Sequence, residues 1–217
     1  MKPIGDPRPG IDHVQPATLN RPRIQPFTLL VFNPQYPRFQ PSTHNLTVRT
    51  LYLCRHAKSS WADPGQSDHE RPLNERGLRD APAMARHFKQ RGEPLAHLVS
   101  SDASRAQSTA RFFARELGMP AERITLERRL YHAEAETIAE VVSRLPDDAH
   151  RVMLFGHNPG ISLAVEHFTG DGPGELPTCG LVRIDFVADS WKETGRGLGT
   201  FVWFEYPKRV LGTIRAQ

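Results

Sequence analysis

The chain has 217 residues, which suits one domain of ordinary size, alone or with an extension. Its 38% hydrophobic and 24% charged residues allow a globular core. No stretch is long and apolar enough to span a membrane, and the first residues lack the apolar segment of a secretory signal. The composition therefore predicts a cytoplasmic protein with no membrane partner.

Charge and cysteine content narrow the function classes further. The net charge of +4 raises the question of nucleic-acid binding, but the 28 Lys and Arg residues are spread among 24 acidic ones, with no basic run longer than a pair. We therefore expect no nucleic-acid partner. The two cysteines, Cys54 and Cys179, form no CxxC or Cys/His cluster. They are interpreted as reduced structural thiols, and no metal site is predicted.

Residues 1–49 differ in composition from the rest of the chain. They contain nine of the 19 prolines. Proline at this density removes backbone donors and disfavours helices and central strands, so the segment is predicted to be a disordered extension. A start codon assigned too far upstream would also explain it, and the apolar residues 27–32 leave docking of the segment open. The folded domain is predicted over residues 50–217.

From residue 50 onward, short apolar runs alternate with helical patterns. The runs cover residues 51–54, 98–101 and 152–155, and they are apolar on both faces, as buried parallel strands are. Two further segments, 182–186 and 200–205, indicate an edge hairpin near the C-terminus. Together they predict an α/β three-layer sandwich whose mostly parallel sheet is flanked by helices, with an antiparallel edge.

Three segments carry apolar side chains at helical spacing. In the first, Pro82 predicts a helix that starts late or kinks. The second is closed by Gly118 and Pro120, and the third by Pro146. The stripes are Leu78, Ala81, Ala85 and Phe88; Ala106, Ala110, Phe113 and Leu117; and Ile138, Val141, Val142 and Leu145.

Basic and imidazole side chains follow each of the three predicted parallel strands. Arg55 and His56 come after the first strand, Arg105 after the second and His157 after the third. Because ligands bind at the carboxyl ends of parallel strands, we expect these four side chains to share one pocket.

The chemistry of these residues suits a phosphoryl group. Guanidinium groups match phosphate oxygens, and a helix N-terminus adds free N–H groups. Ser104 and Gln107 have the spacing of a capping box, which places Arg105 at the first helical position. A neutral His56 can attack phosphorus, and a protonated His157 can donate to an oxygen of the transferring group.

Several motifs resemble the histidine phosphatase superfamily, which has the phosphoglycerate mutase-like fold. Residues 53–58 (LCRHAK) are similar to its Arg-His-Gly motif, with Ala57 in place of the glycine, and residues 101–105 and 155–160 resemble its later arginine and histidine motifs. Within the superfamily, residues 58–61, 68–77 and 176–178 resemble the SixA-like phosphohistidine phosphatase branch. The similarity extends from about residue 51 to residue 209.

This resemblance implies a cofactor-independent phosphatase that forms a phosphohistidine intermediate on His56. Arg55, Arg105 and His157 would bind the phosphoryl oxygens, and no metal would be needed. The general acid is left open. The candidate acids are Asp68, His69 and Glu127, and the further substrate-binding candidates are Lys58, Arg71 and Asn158.

Three functions remain to be weighed. The first is removal of phosphoryl groups from phosphohistidine in a partner protein, such as a phosphorelay component. The second is hydrolysis of a small phosphorylated metabolite, and the third is a non-catalytic phosphate-binding or nucleic-acid-binding module. The third is disfavoured, because anion binding alone has no need of a neutral imidazole.

The length between Arg105 and His157 bears on the choice of substrate. The predicted elements use nearly all of this segment and leave no residues for a lid. An open pocket suits a phosphoryl group on a protein surface. The expected contacts around the mouth are Lys58, Trp61, Arg71 and His132.

Overall fold

The computed structural model describes residues 47–214. The predicted extension over residues 1–49 lies almost entirely outside the described residues, although the first strand already begins at Val48. Six strands form one sheet in the order β3-β2-β4-β1-β5-β6. The strands are β1 Val48–Arg55, β2 His97–Ser100, β3 Ile124–Leu126, β4 Arg151–Gly156, β5 Leu181–Val187 and β6 Thr200–Glu205.

The pairing directions confirm the predicted sheet. Strands β3, β2, β4 and β1 are parallel to one another, whereas β5 pairs antiparallel with both β1 and β6. Strand β3 was not predicted. It has only three residues at the sheet edge, and Leu126 is exposed, so it carries little apolar pattern.

Helices cover both faces of the sheet, which gives the predicted three layers. Within residues 47–214, no helix is both long enough and apolar enough to cross a membrane. Helices α4 and α5 were not predicted. The helices are α1 Glu75–Gln90, α2 Ser104–Leu117, α3 Ala135–Ser143, α4 Gly160–Thr169 and α5 Pro207–Ile214.

Two hydrophobic cores form because successive strand residues point to opposite faces. Leu51 and Leu53 of β1 pack with the residues of α3 and α4 on one face. Tyr52 and Cys54 face the other core, which contains residues of α1 and α2. Both cysteines are buried and unpaired.

Helix α1 differs from its prediction in two ways. It starts well before Pro82, because Asn74 caps it by accepting a hydrogen bond from the Gly77 N–H at 3.0 Å. A proline within a helix removes one backbone hydrogen bond. The N-cap and the buried face of the helix compensate for this loss. Leu78 was predicted on the buried face but is 51% exposed, whereas Met84 is buried.

The predicted capping box of α2 is wrong. The N-cap is Ala103, which has no side-chain oxygen, and Ser104 is already the first helical residue, so Arg105 is the second. The backbone N–H of Ser104 donates to the carbonyl of His69 at 3.0 Å. Gln107 instead donates to the carbonyl of Asp102 at 2.6 Å. The predicted end at Gly118 is confirmed, since this residue has the left-handed conformation of a C-cap.

Candidate active site

The four predicted side chains meet at the carboxyl edge of the parallel strands. The backbone N–H of His56 donates to the carbonyl of Gly156 at 3.0 Å, which joins the ends of β1 and β4. The rings of His56 and His157 have centroids 4.9 Å apart. Arg105 places its Nε 3.3 Å from His56 Nε2. The adjacent strand ends therefore bring the residues together as expected.

The hydrogen bonds of His56 fix its tautomer. Its Nδ1 lies 2.7 Å from the carbonyl oxygen of Ala57, which can only accept, so Nδ1 carries the proton. The Nε2 atom is consequently unprotonated, and its lone pair accepts a hydrogen bond from the Arg105 Nε–H. The N–H of Cys179 holds this turn by donating to the carbonyls of Arg55 and His56, both at 3.1 Å.

His56 stays neutral in this setting. Burial lowers its pKa to about 3, and the charges of Arg105, Arg55 and Arg71 act in the same direction, outweighing the bond to the Ala57 carbonyl. A neutral imidazole with an unprotonated nitrogen beside two guanidinium groups is a nucleophile next to an anion site.

His157 is also neutral in the free site, unlike the protonated donor that was expected. Burial, together with the nearby His56 and Arg105, lowers its pKa to about 2. Its Nε2 lies 2.9 Å from the hydroxyl oxygen of Ser101, whereas its buried Nδ1 contacts no hydrogen-bond partner among the described residues. A neutral imidazole can still donate one N–H to an anion.

Thr109 connects the nucleophile to α2 and was not predicted. Its hydroxyl donates to the carbonyl of Arg105 at 2.7 Å and accepts from the N–H of Ala57 at 3.0 Å. A threonine four residues after an arginine on a helix is the only sequence signal for this contact, and the partner at Ala57 is visible only in the fold.

The Asp68 carboxylate contacts cationic side chains around the pocket. Its carboxylate lies 2.8 Å from Arg105 Nη2, 2.9 Å from Arg71 Nη1 and 3.3 Å from His132 Nε2, and it accepts from the Tyr131 hydroxyl at 2.8 Å. Burial opposes its ionisation, but the bonds from Tyr131 and Arg105 prevail and lower its pKa to about 2. Asp68 is therefore a carboxylate that orients the arginines rather than a ready proton donor.

The other two candidate acids are engaged by other side chains. His69 Nε2 is 2.8 Å from a carboxylate oxygen of Asp102. Glu127 receives hydrogen bonds from Arg129, which lower its pKa despite partial burial. Neither geometry presents an available proton to the pocket.

Arg71 and Trp61 form one side of the mouth. The Arg71 guanidinium donates to the Ser59 hydroxyl at 2.6 Å, and its carbon lies 3.3 Å from the centroid of the Trp61 ring. Trp61 is 73% exposed and covers the Arg71 side chain, which is itself buried. Lys58 is half-buried next to them, and its carbonyl accepts from the Asn74 N–H at 3.0 Å.

A groove adjoins the pocket on the opposite side, beyond Arg55. Arg55 lies 3.2 Å from Glu175, and Asn158 donates to the Leu176 carbonyl at 3.0 Å. The groove has a volume of about 680 Å³ and is also lined by Leu163, Asp171, Gly172 and Gly174. The prediction of an open pocket was based only on the chain between Arg105 and His157. The residues that line this groove beyond Asn158 come later in the sequence, so the prediction did not include them.

Metal-ligating residues do not cluster here. In the described part of the chain, no group of three or more His, Cys, Asp or Glu side chains is arranged to hold a metal ion. Positive charge at the pocket comes instead from Arg55, Arg71 and Arg105, which can neutralise a phosphoryl group during transfer.

Comparison with known proteins agrees with the geometry. A family model described as histidine phosphatase superfamily (branch 1) matches residues 51–132. An uncharacterized chloroplastic protein of Arabidopsis thaliana is 29% identical over 163 residues, which cover 71% of this chain and 74% of the plant protein.

Two solved structures share the fold over nearly their whole length. An Agrobacterium tumefaciens protein assigned as the phosphohistidine phosphatase SixA aligns with a TM-score of 0.62 at 28% identity, covering 73% of this chain and 98% of that one. The protein histidine phosphatase SixA complexed with tungstate aligns with a TM-score of 0.65 at 20% identity, covering 74% and 99% of the two chains.

The family match includes the segments of His56 and Arg105, and the structural matches extend over most of the described domain. The structural matches agree with the mostly parallel sheet. The chain is therefore similar to the histidine phosphatase superfamily over residues 51–132 and to a SixA-type structure over most of the described domain, and this similarity supports phosphatase activity.

Proposed function

We propose that this phosphatase acts on phosphohistidine in proteins and that His56 is its nucleophile. The observation that carries the proposal is the fixed tautomer of His56. The Ala57 carbonyl holds the proton on Nδ1, so the Nε2 lone pair faces the anion site beside Arg105. A purely anion-binding pocket would gain nothing from a deprotonated nitrogen directed at the anion.

Two displacement steps account for the reaction. In the first, His56 Nε2 forms a bond to phosphorus while the bond between phosphorus and the leaving atom breaks, and its electron pair stays on the leaving atom. In the second, a water oxygen attacks phosphorus, the bond to Nε2 breaks, and phosphate is released. Arg55, Arg105 and the N–H of His157 bind the phosphoryl oxygens, so positioning and charge supply most of the catalysis.

The exposed mouth supports a protein substrate. Trp61 is presented to solvent at one side of the pocket, where its ring covers the buried Arg71 guanidinium. Lys58 is half-buried and His132 is exposed. An exposed tryptophan stacked on an arginine is typical of protein-binding surfaces. The Agrobacterium relative assigned as a phosphohistidine phosphatase supports the same substrate class.

A second candidate is hydrolysis of a small phosphorylated metabolite. The groove beside Arg55 favours it, because a volume of about 680 Å³ matches that of small-molecule sites. Contacts of a metabolite's remote groups with Asn158 or Leu163 would then supply binding energy that an open pocket lacks.

Comparison of kcat/KM between a phosphohistidine-bearing protein domain and a panel of phosphorylated metabolites decides between the two. The proposal expects the protein substrate to be preferred by at least about tenfold, which is roughly 1.4 kcal/mol of transition-state binding. A metabolite preferred by the same margin would replace the proposal with the second candidate. Trp61→Ala is expected to weaken only the protein reaction, and Leu163→Ala serves as its matched control in the groove.

A further inference from the structure

His132 occupies an unusual position at the mouth of the pocket. It follows Tyr131 in the turn before α3 and has a positive φ of 51°, a conformation that few residues other than glycine adopt. Its ring stacks on that of Tyr131 with centroids 4.1 Å apart. Its side chain is 60% exposed. The turn therefore holds an imidazole at the solvent boundary of the site.

The imidazole rings of His56, His157 and His132 lie in a row from the nucleophile toward solvent. The His157 ring lies 4.9 Å from that of His56, and the His132 ring lies 5.9 Å from that of His157 at an interplanar angle of 87°. His56 and His157 are buried, whereas His132 is exposed. In phosphoryl transfer the leaving atom departs opposite the attacking atom. Because His56 attacks from the buried side, the leaving atom departs toward the side where His132 lies.

The contacts of His132 suit a proton donor. Its Nε2 lies 3.3 Å from the Asp68 carboxylate, and its ring stacks on that of Tyr131. Among the described residues, no hydrogen bond engages its Nδ1, so this nitrogen is available to a substrate. Histidine exchanges a proton near neutral pH, which makes it an efficient general acid and base.

Neighbouring groups are less suited to the same task. Asp68 is ionised, with its pKa lowered to about 2, and the Glu127 carboxylate is bound by Arg129. The Tyr131 hydroxyl already donates to Asp68, and burial together with that bond raises its pKa. Unlike these three groups, the imidazole at residue 132 is exposed and has a ring nitrogen that no hydrogen bond engages among the described residues.

We propose that His132 is the proton donor to the leaving atom and that Asp68 positions its ring. The inference rests on the proposed phosphatase function. As the bond from His56 Nε2 to phosphorus forms, the leaving atom keeps the electron pair of its broken bond to phosphorus and takes the proton from His132 Nδ1. His132 becomes neutral. In the second step it accepts a proton from the attacking water, while the bond between phosphorus and Nε2 breaks, which restores the starting state.

The test compares two aryl phosphates that differ in their need for a proton donor. 4-Nitrophenolate leaves without protonation, whereas the phenolate of phenyl phosphate benefits strongly from it. The variant is His132→Asn, because asparagine tolerates a positive φ and so preserves the turn. We expect kcat/KM for phenyl phosphate to fall by roughly 100-fold, the usual contribution of a general acid, and that for 4-nitrophenyl phosphate to change by less than about threefold.

Controls separate proton donation from a structural role. His97→Asn, at the start of β2 and outside the pocket, is expected to alter neither substrate. His132→Ala, if it folds with the circular dichroism of the wild type, is expected to show the same selectivity as His132→Asn. A loss of equal size on both substrates, or no loss on phenyl phosphate, would overturn the proposal and leave the phosphatase function standing. Absence of His56-dependent hydrolysis in the wild type would overturn both.

Discussion

Replacement of Thr109 by valine tests how the nucleophile is held. The Thr109 hydroxyl accepts from the buried N–H of Ala57 at 3.0 Å, and the carbonyl of the same residue fixes His56 Nδ1 at 2.7 Å. Thr109→Val keeps the shape of the side chain but removes the acceptor. The Ala57 N–H is then left without its partner in a fully buried environment.

The size of the effect follows from that orphaned donor. A buried N–H without a partner costs about 1–3 kcal/mol, and for a domain of this size each kcal/mol shifts Tm by about 2–4 °C. We therefore expect Thr109→Val to lower Tm by roughly 2–12 °C. Because the turn that orients His56 loosens, we also expect kcat to fall by roughly tenfold or more, with little change in KM.

Thr109→Ser is the matched control. It retains the hydroxyl and loses one methyl group, for a cost of about 1 kcal/mol. Thermal unfolding and steady-state kinetics on 4-nitrophenyl phosphate are measured for the wild type and both variants. The serine variant is expected to keep near-wild-type kcat despite its lower Tm. If valine and serine reduce kcat equally, the hydroxyl does not orient the nucleophile and the reasoning fails.

Three further outcomes are expected. Burial lowers the pKa values of His56 and His157, so the unfolded chain binds protons that the folded chain does not. The free energy of unfolding therefore falls as the pH drops below about 6.5, by up to about 1.4 kcal/mol per pH unit for each histidine. Urea unfolding at pH 7 and pH 5 should show this loss, and His157→Asn should reduce it; an unchanged difference would refute the assignment. Gly160→Ala should lower Tm markedly, since its Cβ would lie 1.9 Å from the Ala133 carbonyl oxygen. The control Gly195→Ala should not, because its Cβ would make only an ordinary contact at 3.5 Å. Equal Tm shifts of the two variants in differential scanning calorimetry would contradict this. Chelation by EDTA should leave turnover unchanged, because arginines surround the phosphate site, and restoration of lost activity by added Mg²⁺ or Zn²⁺ would contradict it.

The sequence predicted those parts of the fold and site whose signals are local. The buried strands are continuous apolar runs, and the residues that follow them must meet because parallel strands end at one edge. For this reason the sequence alone placed His56, Arg105 and His157 in one pocket. Strand β3 and helix α4 were missed because the first is a short edge strand and the second begins directly after Pro159.

The arrangement around Asp68 could not be predicted, because it is built by tertiary contacts. Asp68 meets Tyr131 and His132 across more than 60 positions of sequence. Periodicity says nothing about such loop-to-loop contacts. The capping box failed for a related reason: Ser104 matches the motif, but its backbone N–H is taken by the distant carbonyl of His69, and the helix starts one residue earlier.

Trapping of the covalent intermediate tests the central proposal most directly. The enzyme is mixed with a substrate carrying a labelled phosphoryl group, quenched in alkali, digested and mapped by mass spectrometry. The account predicts an acid-labile phosphoryl group on His56 of the wild type and none in His56→Asn, whose turnover should fall to the slow rate of direct water attack. A label on another residue, or near-wild-type turnover by His56→Asn, would contradict it.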